Sequence, residues 1–173
     1  MGLKKTSFIS ILFFLMMGCV QYSSHEILAD RIINQTSNQL EKEKDLVCSG
    51  TGGQMMGDIQ VMDISFQYFH LVNLEEAREL LVYVIRTFLK NINDNKEIRP
   101  YLHNYPFTTK NIEITIWSYQ PDGYEPDQGK IQCLALENGM LKYKLVAPSE
   151  FATWPILHKE TYEEALKVLA EKP

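Results

Sequence analysis

Apolar residues recur at helical spacing in three segments of the chain. The widest stripe follows Asn73 and Glu76, which form a capping box because each side chain can bond the backbone N–H of the other. Comparable boxes predict an N-terminal helix from about residue 23 to 45 and a final helix from about residue 161. The central helix should pack flat on a sheet through Ala77, Leu80, Leu81, Val84, Ile85, Phe88, Leu89 and Ile92.

Alternation of apolar and polar residues predicts strands at 58–70, 111–119, 131–137 and 140–146. The dipeptide Asn138-Gly139 joins the last two as a hairpin, because these residues suit a two-residue turn. Residues 148–158 should be irregular or form a short edge strand. The hairpin turn predicts the opposed pairs Leu136 and Leu141, Leu134 and Tyr143, and Gln132 and Leu145.

The order of these elements is typical of an α+β fold. We predict a single two-layer domain at residues 26–173, with an antiparallel sheet of about four strands and helices packed mainly on one face. The segment Cys48–Gly57 holds four glycines and is predicted to be a flexible turn or hinge. A phosphate-cradling loop is the alternative, but the segment precedes a strand and lacks the Gly-Lys-Ser/Thr of a P-loop.

The first nineteen residues have the order of a secretory signal. Lys4 and Lys5 precede the apolar run Phe8–Met17, which is too short to span a hydrocarbon core of about 30 Å. The end of the run, Leu15-Met16-Met17-Gly18-Cys19, resembles a bacterial lipoprotein signal. This resemblance implies removal of residues 1–18, acylation of Cys19 with chains such as palmitate, and a short tether at 19–25. Ordinary secretion is the alternative.

The lipoprotein resemblance implies a location in the bacterial cell envelope, with the membrane as a partner through the lipid anchor. Val20 favours the outer membrane, because it stands where an Asp would retain such proteins at the inner membrane. Loss of Lys4 and Lys5 with the signal leaves 15 basic against 22 acidic residues, a net charge of about −7. This charge argues against nucleic acid as a partner.

Removal of the signal also leaves two cysteines besides Cys19. Cys48 and Cys133 could form a disulfide in an oxidising compartment or remain as free thiols. The predicted hairpin turns Cys133 away from the core, towards the face that the segment carrying Cys48 could reach.

Aromatic side chains suggest where a ligand or partner could bind. Residues 97–107 contain two prolines that bar a long helix, and 111–119 carries aromatic residues on its wetter face. Together with 74–92, the run 97–107 resembles an uncharacterised group of bacterial secreted proteins, a resemblance that implies no activity, cofactor or partner. The candidate binding residues are Tyr101, His103, Tyr105, Phe107, Trp117 and Tyr119.

The sequence contains no catalytic or metal-binding signature. Its four histidines are scattered and no Cys/His cluster has ligand spacing, so we predict no catalytic residue, no metal and no cofactor. The alternative is a small thiol hydrolase with Cys48 as nucleophile and His70 or His103 as base. We expect a non-enzymatic binding domain that recognises an envelope protein or a small ligand. An exported factor acting on a host or another cell is a further alternative.

Overall fold

The computed structural model describes residues 24–149 and 152–171. The predicted signal peptide, Cys19 and most of the predicted tether lie outside these residues. The elements are α1 (Ser24–Lys44), β1 (Val47–Gln54), β2 (Val61–Tyr68), α2 (Leu74–Asp94), a 3₁₀ turn (Arg99–Tyr101), β3 (Ile112–Ser118), β4 (Ile131–Glu137), β5 (Met140–Leu145), β6 (Ile156–Thr161) and α3 (Tyr162–Ala170).

The six strands lie side by side in their sequence order in one mixed sheet. β2 and β3 are parallel, and every other neighbouring pair is antiparallel. The fold is α+β, but the predicted antiparallel sheet of about four strands is wrong. The parallel pair follows from α2, because a helical crossover returns the chain to the end of the sheet from which β2 started.

The two strands at the edges of the sheet enlarge it beyond the prediction. β1 comes from the glycine-rich segment that was predicted to be a turn, and its backbone pairs along β2 from Val47 to Gln54. Ladder hydrogen bonds need only the backbone, so glycines can form an edge strand when a neighbour offers its own unpaired edge. β6 occupies the end of the segment that was predicted to be irregular or a short edge strand, and it continues to Thr161.

The β4–β5 hairpin has most of the predicted register. Leu136 lies opposite Leu141 and Leu134 opposite Tyr143, as predicted. The third pair is wrong, because a bulge between Ile131 and Cys133 places Ile131 rather than Gln132 opposite Leu145.

The core lies between one face of the sheet and the helices. Alternate residues of β2 and β3 are buried there together with the apolar stripe of α2. The capping box of Asn73 and Glu76 opens α2 as predicted. Arg78 of α2 is also buried, and its Nε donates to Glu160 of β6 at 2.7 Å. In the described residues the opposite face of the sheet has no helix on it, and it is called the helix-free face below.

Candidate functional site

The structure separates the predicted aromatic binding residues into two groups. β3 begins at Ile112, beside the proline-containing run, whereas Trp117 and Tyr119 lie at its other end. Five residues of strand place Trp117 about 17 Å from Ile112. The six residues therefore do not form one binding surface.

Tyr101 and His103 hold the proline-containing run against the start of β2. The Tyr101 carbonyl accepts a hydrogen bond from the Ile59 N–H at 2.8 Å, and the His103 N–H donates to the Ile59 carbonyl at 2.9 Å. The Tyr101 ring stacks on His25, and His103 Nδ1 lies 2.6 Å from an oxygen of Asp58. These contacts give both residues a structural role.

Tyr105 and Phe107 lie at the other end of the same run. Phe107 is buried, and its backbone exchanges two hydrogen bonds with the side-chain amide of Asn93, at 2.8 and 3.0 Å. The Tyr105 ring is 53% exposed and lies 4.8 Å from the guanidinium of Arg99. Only Tyr105 of this pair could therefore contact a ligand.

Trp117 and Tyr119 are partly buried by other aromatic rings. On the helix-free face, the Trp117 ring packs edge to face against the Trp154 ring, with 5.0 Å between ring centres. Tyr119 stacks on Phe69 at 5.8 Å. Both rings contribute to packing, and Trp154, 41% exposed, is the most accessible of the four.

The cysteines do not form the disulfide that the sequence left open, since both are free thiols. Cys48 of β1 lies opposite Phe66 of β2. Cys133 of β4 lies opposite Trp117 on the helix-free face, three strands across the sheet from Cys48. Three inter-strand steps of about 4.8 Å exceed the Cα separation of about 7 Å that a disulfide tolerates. Burial raises the pKa of the Cys133 thiol to about 11, which makes it a poor nucleophile.

The thiol hydrolase alternative receives no support from the position of His103. This histidine is bonded beside Ile59, and Cys48 lies opposite Phe66. Seven residues of extended chain separate these two points of β2, or about 23 Å. His103 therefore cannot act as the base for Cys48.

A cavity lies between the C-terminal end of α1, the first turns of α2 and the end of β2. We call it the α1–α2 groove. Its volume is about 490 Å³, within the usual range of small-ligand sites. Its lining combines three ring side chains with apolar and charged residues: Lys44, Tyr68, His70, Leu71, Val72, Glu76, Glu79, Leu80 and Tyr83.

The backbone explains why these side chains meet. α1 runs antiparallel to α2, so that the Tyr83 hydroxyl donates to Glu43 at 2.6 Å while Asn91 bonds Thr36 at 3.0 Å. At the end of α1, Asp45 adopts a left-handed conformation with φ of 55°, which turns the chain into β1.

Charged groups surround the rings of the groove. The Lys44 ammonium lies 4.6 Å from the centre of the Tyr83 ring, in a cation–π contact. Burial, and then the negative charges of Asp45 and Glu76, raise the pKa of the Tyr68 hydroxyl. The hydrogen bond to Glu43 likewise raises the pKa of Tyr83. The groove thus presents rings and carboxylates to whatever enters it.

A second cavity of about 480 Å³ adjoins the glycine-rich β1. Glu26 and Asp30 of α1 line it with Gly52 and Gly53. Because two carboxylates would repel an anion, this arrangement gives no support to the phosphate-cradling alternative.

Sequence reasoning missed the groove because it did not foresee the parallel pair. It placed a strand end at His70, two residues beyond the observed end of β2, and a helix start at Asn73, which caps α2. In a strand–helix–strand unit with parallel strands, the carboxyl end of the strand and the start of the helix form a common place for ligands. A predicted helix between two predicted strands was the sequence signal that could have indicated the parallel pair, and with it the groove.

Comparison with known protein families, with characterised proteins and with solved structures finds no match to this chain. In residues 24–149 and 152–171, no helix is long and apolar enough to cross a membrane. The same residues contain no group of three or more His, Cys, Asp or Glu side chains placed to hold a metal ion.

Proposed function

We propose that the protein is a lipoprotein of the bacterial cell envelope, anchored through acylated Cys19, whose folded part binds a ligand in the α1–α2 groove. The lipoprotein-like end of the signal run supports the anchor. The observation that carries the binding function is the groove itself, which joins about 490 Å³ of space to three rings and several charges.

The anchor is tested by the intact mass of the protein extracted from membranes. We expect a chain that begins at Cys19 and is heavier by its acyl groups. The variant Cys19→Ser should lack this added mass and leave the membrane fraction. A wild-type chain cleaved at another position, or carrying no acyl group, would contradict the anchor.

The groove is tested by ¹⁹F NMR of the lipidated protein in detergent micelles, with 3-fluorotyrosine in place of tyrosine. A fragment mixture of cationic, neutral and anionic members serves as the probe. We expect binders to shift the resonances of Tyr68 and Tyr83, each assigned by a Tyr→Phe variant. The exposed Tyr105, at the other end of β3, reports non-specific effects.

The chain offers a matched pair of control variants. Tyr83 and Tyr105 each carry a cation on the ring, Lys44 at 4.6 Å and Arg99 at 4.8 Å. Tyr83→Leu should weaken fragment binding, as read from Tyr68, whereas Tyr105→Leu should leave it unchanged. Equal effects of the two variants, or no shift at Tyr68 and Tyr83 with any fragment, would refute the groove as the binding site.

A further inference from the structure

The end of α1 places backbone carbonyl groups at the groove. The groove lies at the C-terminal end of α1, a helix of 21 residues. The last carbonyl groups of a helix carry partial negative charge, which stabilises cations and disfavours anions within the last turn. The end of α1 therefore favours positive charge, whereas the start of α2 opposes it. At that start the Asn73 side chain already accepts from the N–H groups of Glu75 and Glu76, and the Glu76 carboxylate lies in the first turn.

The side chains around the groove favour the same sign of charge. Glu76 and Glu79 line it, Glu43 holds the Tyr83 hydroxyl, and Asp45 and Glu76 act on the Tyr68 hydroxyl. Against these carboxylates, Lys44 is the cation in the lining. The lining thus contains two carboxylates and one ammonium group.

The rings supply a surface that an organic cation prefers to a hydrated metal ion. Tyr68 and His70 lie 4.8 Å apart between ring centres, and Tyr83 adds the face already in contact with Lys44. Aromatic faces attract ammonium and guanidinium groups, and the apolar residues Leu71, Val72 and Leu80 can accommodate an alkyl stem.

Lys44 shows how such a cation is held. Its side chain is exposed, and its ammonium lies on Tyr83 beside the acidic rim. An exposed lysine is held weakly enough to be displaced. Lys44 therefore occupies the position on the Tyr83 ring that the cationic group of a ligand would take.

We infer that the α1–α2 groove binds an organic cation, an ammonium or guanidinium group on an apolar stem, in competition with Lys44. This inference rests on the proposed function and adds the chemical class of the ligand.

The test compares three six-carbon probes whose head groups are cationic, neutral and anionic: n-hexylammonium, 1-hexanol and hexanoate. Each is titrated into the lipidated, fluorotyrosine-labelled protein in zwitterionic micelles. We expect n-hexylammonium to shift Tyr68 and Tyr83 saturably and at least about tenfold more tightly than hexanoate. Its affinity should fall as salt rises, because salt screens the carboxylates.

Two variants examine the competition and the charge. Lys44→Met should strengthen n-hexylammonium binding by about threefold to tenfold, since it removes a competing like charge. Asp45→Asn should weaken it a few-fold while keeping a residue that tolerates the left-handed conformation. The control Arg99→Met removes the corresponding cation from Tyr105 and should change nothing in the groove.

The outcomes separate the two proposals. If hexanoate or 1-hexanol shifts Tyr68 and Tyr83 as strongly as n-hexylammonium, the cation inference is overturned and the groove remains a binding site. Weaker n-hexylammonium binding by Lys44→Met would also overturn the inference, because Lys44 would then help to hold the ligand. If none of the probes or fragments shifts these two tyrosines, the inference and the groove fail together.

Discussion

The two flanks of α2 contain the same kinds of side chain but differ in their access to water. On the flank towards β6, Arg78 and Glu160 form an ion pair with side chains only 10% and 5% exposed. His158 lies 3.5 Å from the same carboxylate and stacks on the buried Tyr143. This flank, the closed flank, joins α2 to β6 through buried side chains.

The flank towards α1 is the open flank and contains the groove. It also holds a cation, carboxylates, tyrosines and a histidine, here represented by Lys44, Glu43, Tyr83 and His70. Lys44 and His70 are exposed, and Tyr83 is only partly buried.

The difference teaches that burial decides the role of such a group of residues. A charge taken out of water must keep its partner, because an uncompensated buried charge costs several kcal/mol. An exposed charge stays hydrated when its partner leaves. A ligand can therefore replace that partner. The closed flank therefore stabilises the fold, and the open flank is available for binding.

The largest expected effect is the loss of one member of the buried ion pair. Arg78→Met leaves the Glu160 carboxylate buried without its partner and should lower the free energy of unfolding by about 3–5 kcal/mol. The matched variant on the open flank, Lys44→Met, should change it by no more than about 0.5 kcal/mol. Urea denaturation at pH 7 measures both changes.

The double variant Arg78→Met/Glu160→Gln distinguishes charge from packing. It should recover at least half of the stability lost by Arg78→Met, because no unpaired charge remains. A double variant as unstable as the sum of its single variants would show that packing alone is responsible.

The second effect is a loss of stability in alkali. Burial first, and then Glu160, raise the pKa of Tyr143 far above its ordinary value near 10. The folded protein keeps this proton while the unfolded chain loses it. The contribution of Tyr143 is therefore complete below pH 10, and stability falls by up to about 1.4 kcal/mol per pH unit above it.

Urea denaturation between pH 9 and 11 measures this slope. Tyr143→Phe should flatten it, whereas Tyr83→Phe on the open flank should leave most of it. An unchanged slope in Tyr143→Phe would assign the alkaline loss to other groups, among them Cys133, whose pKa burial raises to about 11.

The smallest effects concern the two tyrosine hydroxyls at pH 7. Tyr83→Phe removes the hydrogen bond to Glu43 and should cost up to about 1 kcal/mol. The Tyr143 hydroxyl is buried without a hydrogen-bond partner among the described residues. Tyr143→Phe should therefore be neutral or stabilising by up to about 1 kcal/mol. A destabilising Tyr143→Phe would show that this hydroxyl bonds a group such as Glu160.

The sequence alone determined those elements that depend on neighbouring residues. The stripe of α2 and its capping box with Asn73, the alternation in β2 and β3, and the turn at Asn138-Gly139 predicted most of the structure between residues 58 and 146. Local hydrogen bonds and the burial of a single face are sufficient for these features, and both can be read from short stretches of sequence.

The tertiary structure decided the rest, because it depends on partners far along the chain. β1 has no apolar pattern and becomes a strand only because β2 offers an unpaired edge. Arg78 is buried only because Glu160, 82 residues away, neutralises it. The groove likewise exists only where α1 crosses back along α2 beside the end of β2. Local propensity carries no information about these contacts, since each depends on which distant segment completes the hydrogen bond, the ion pair or the wall.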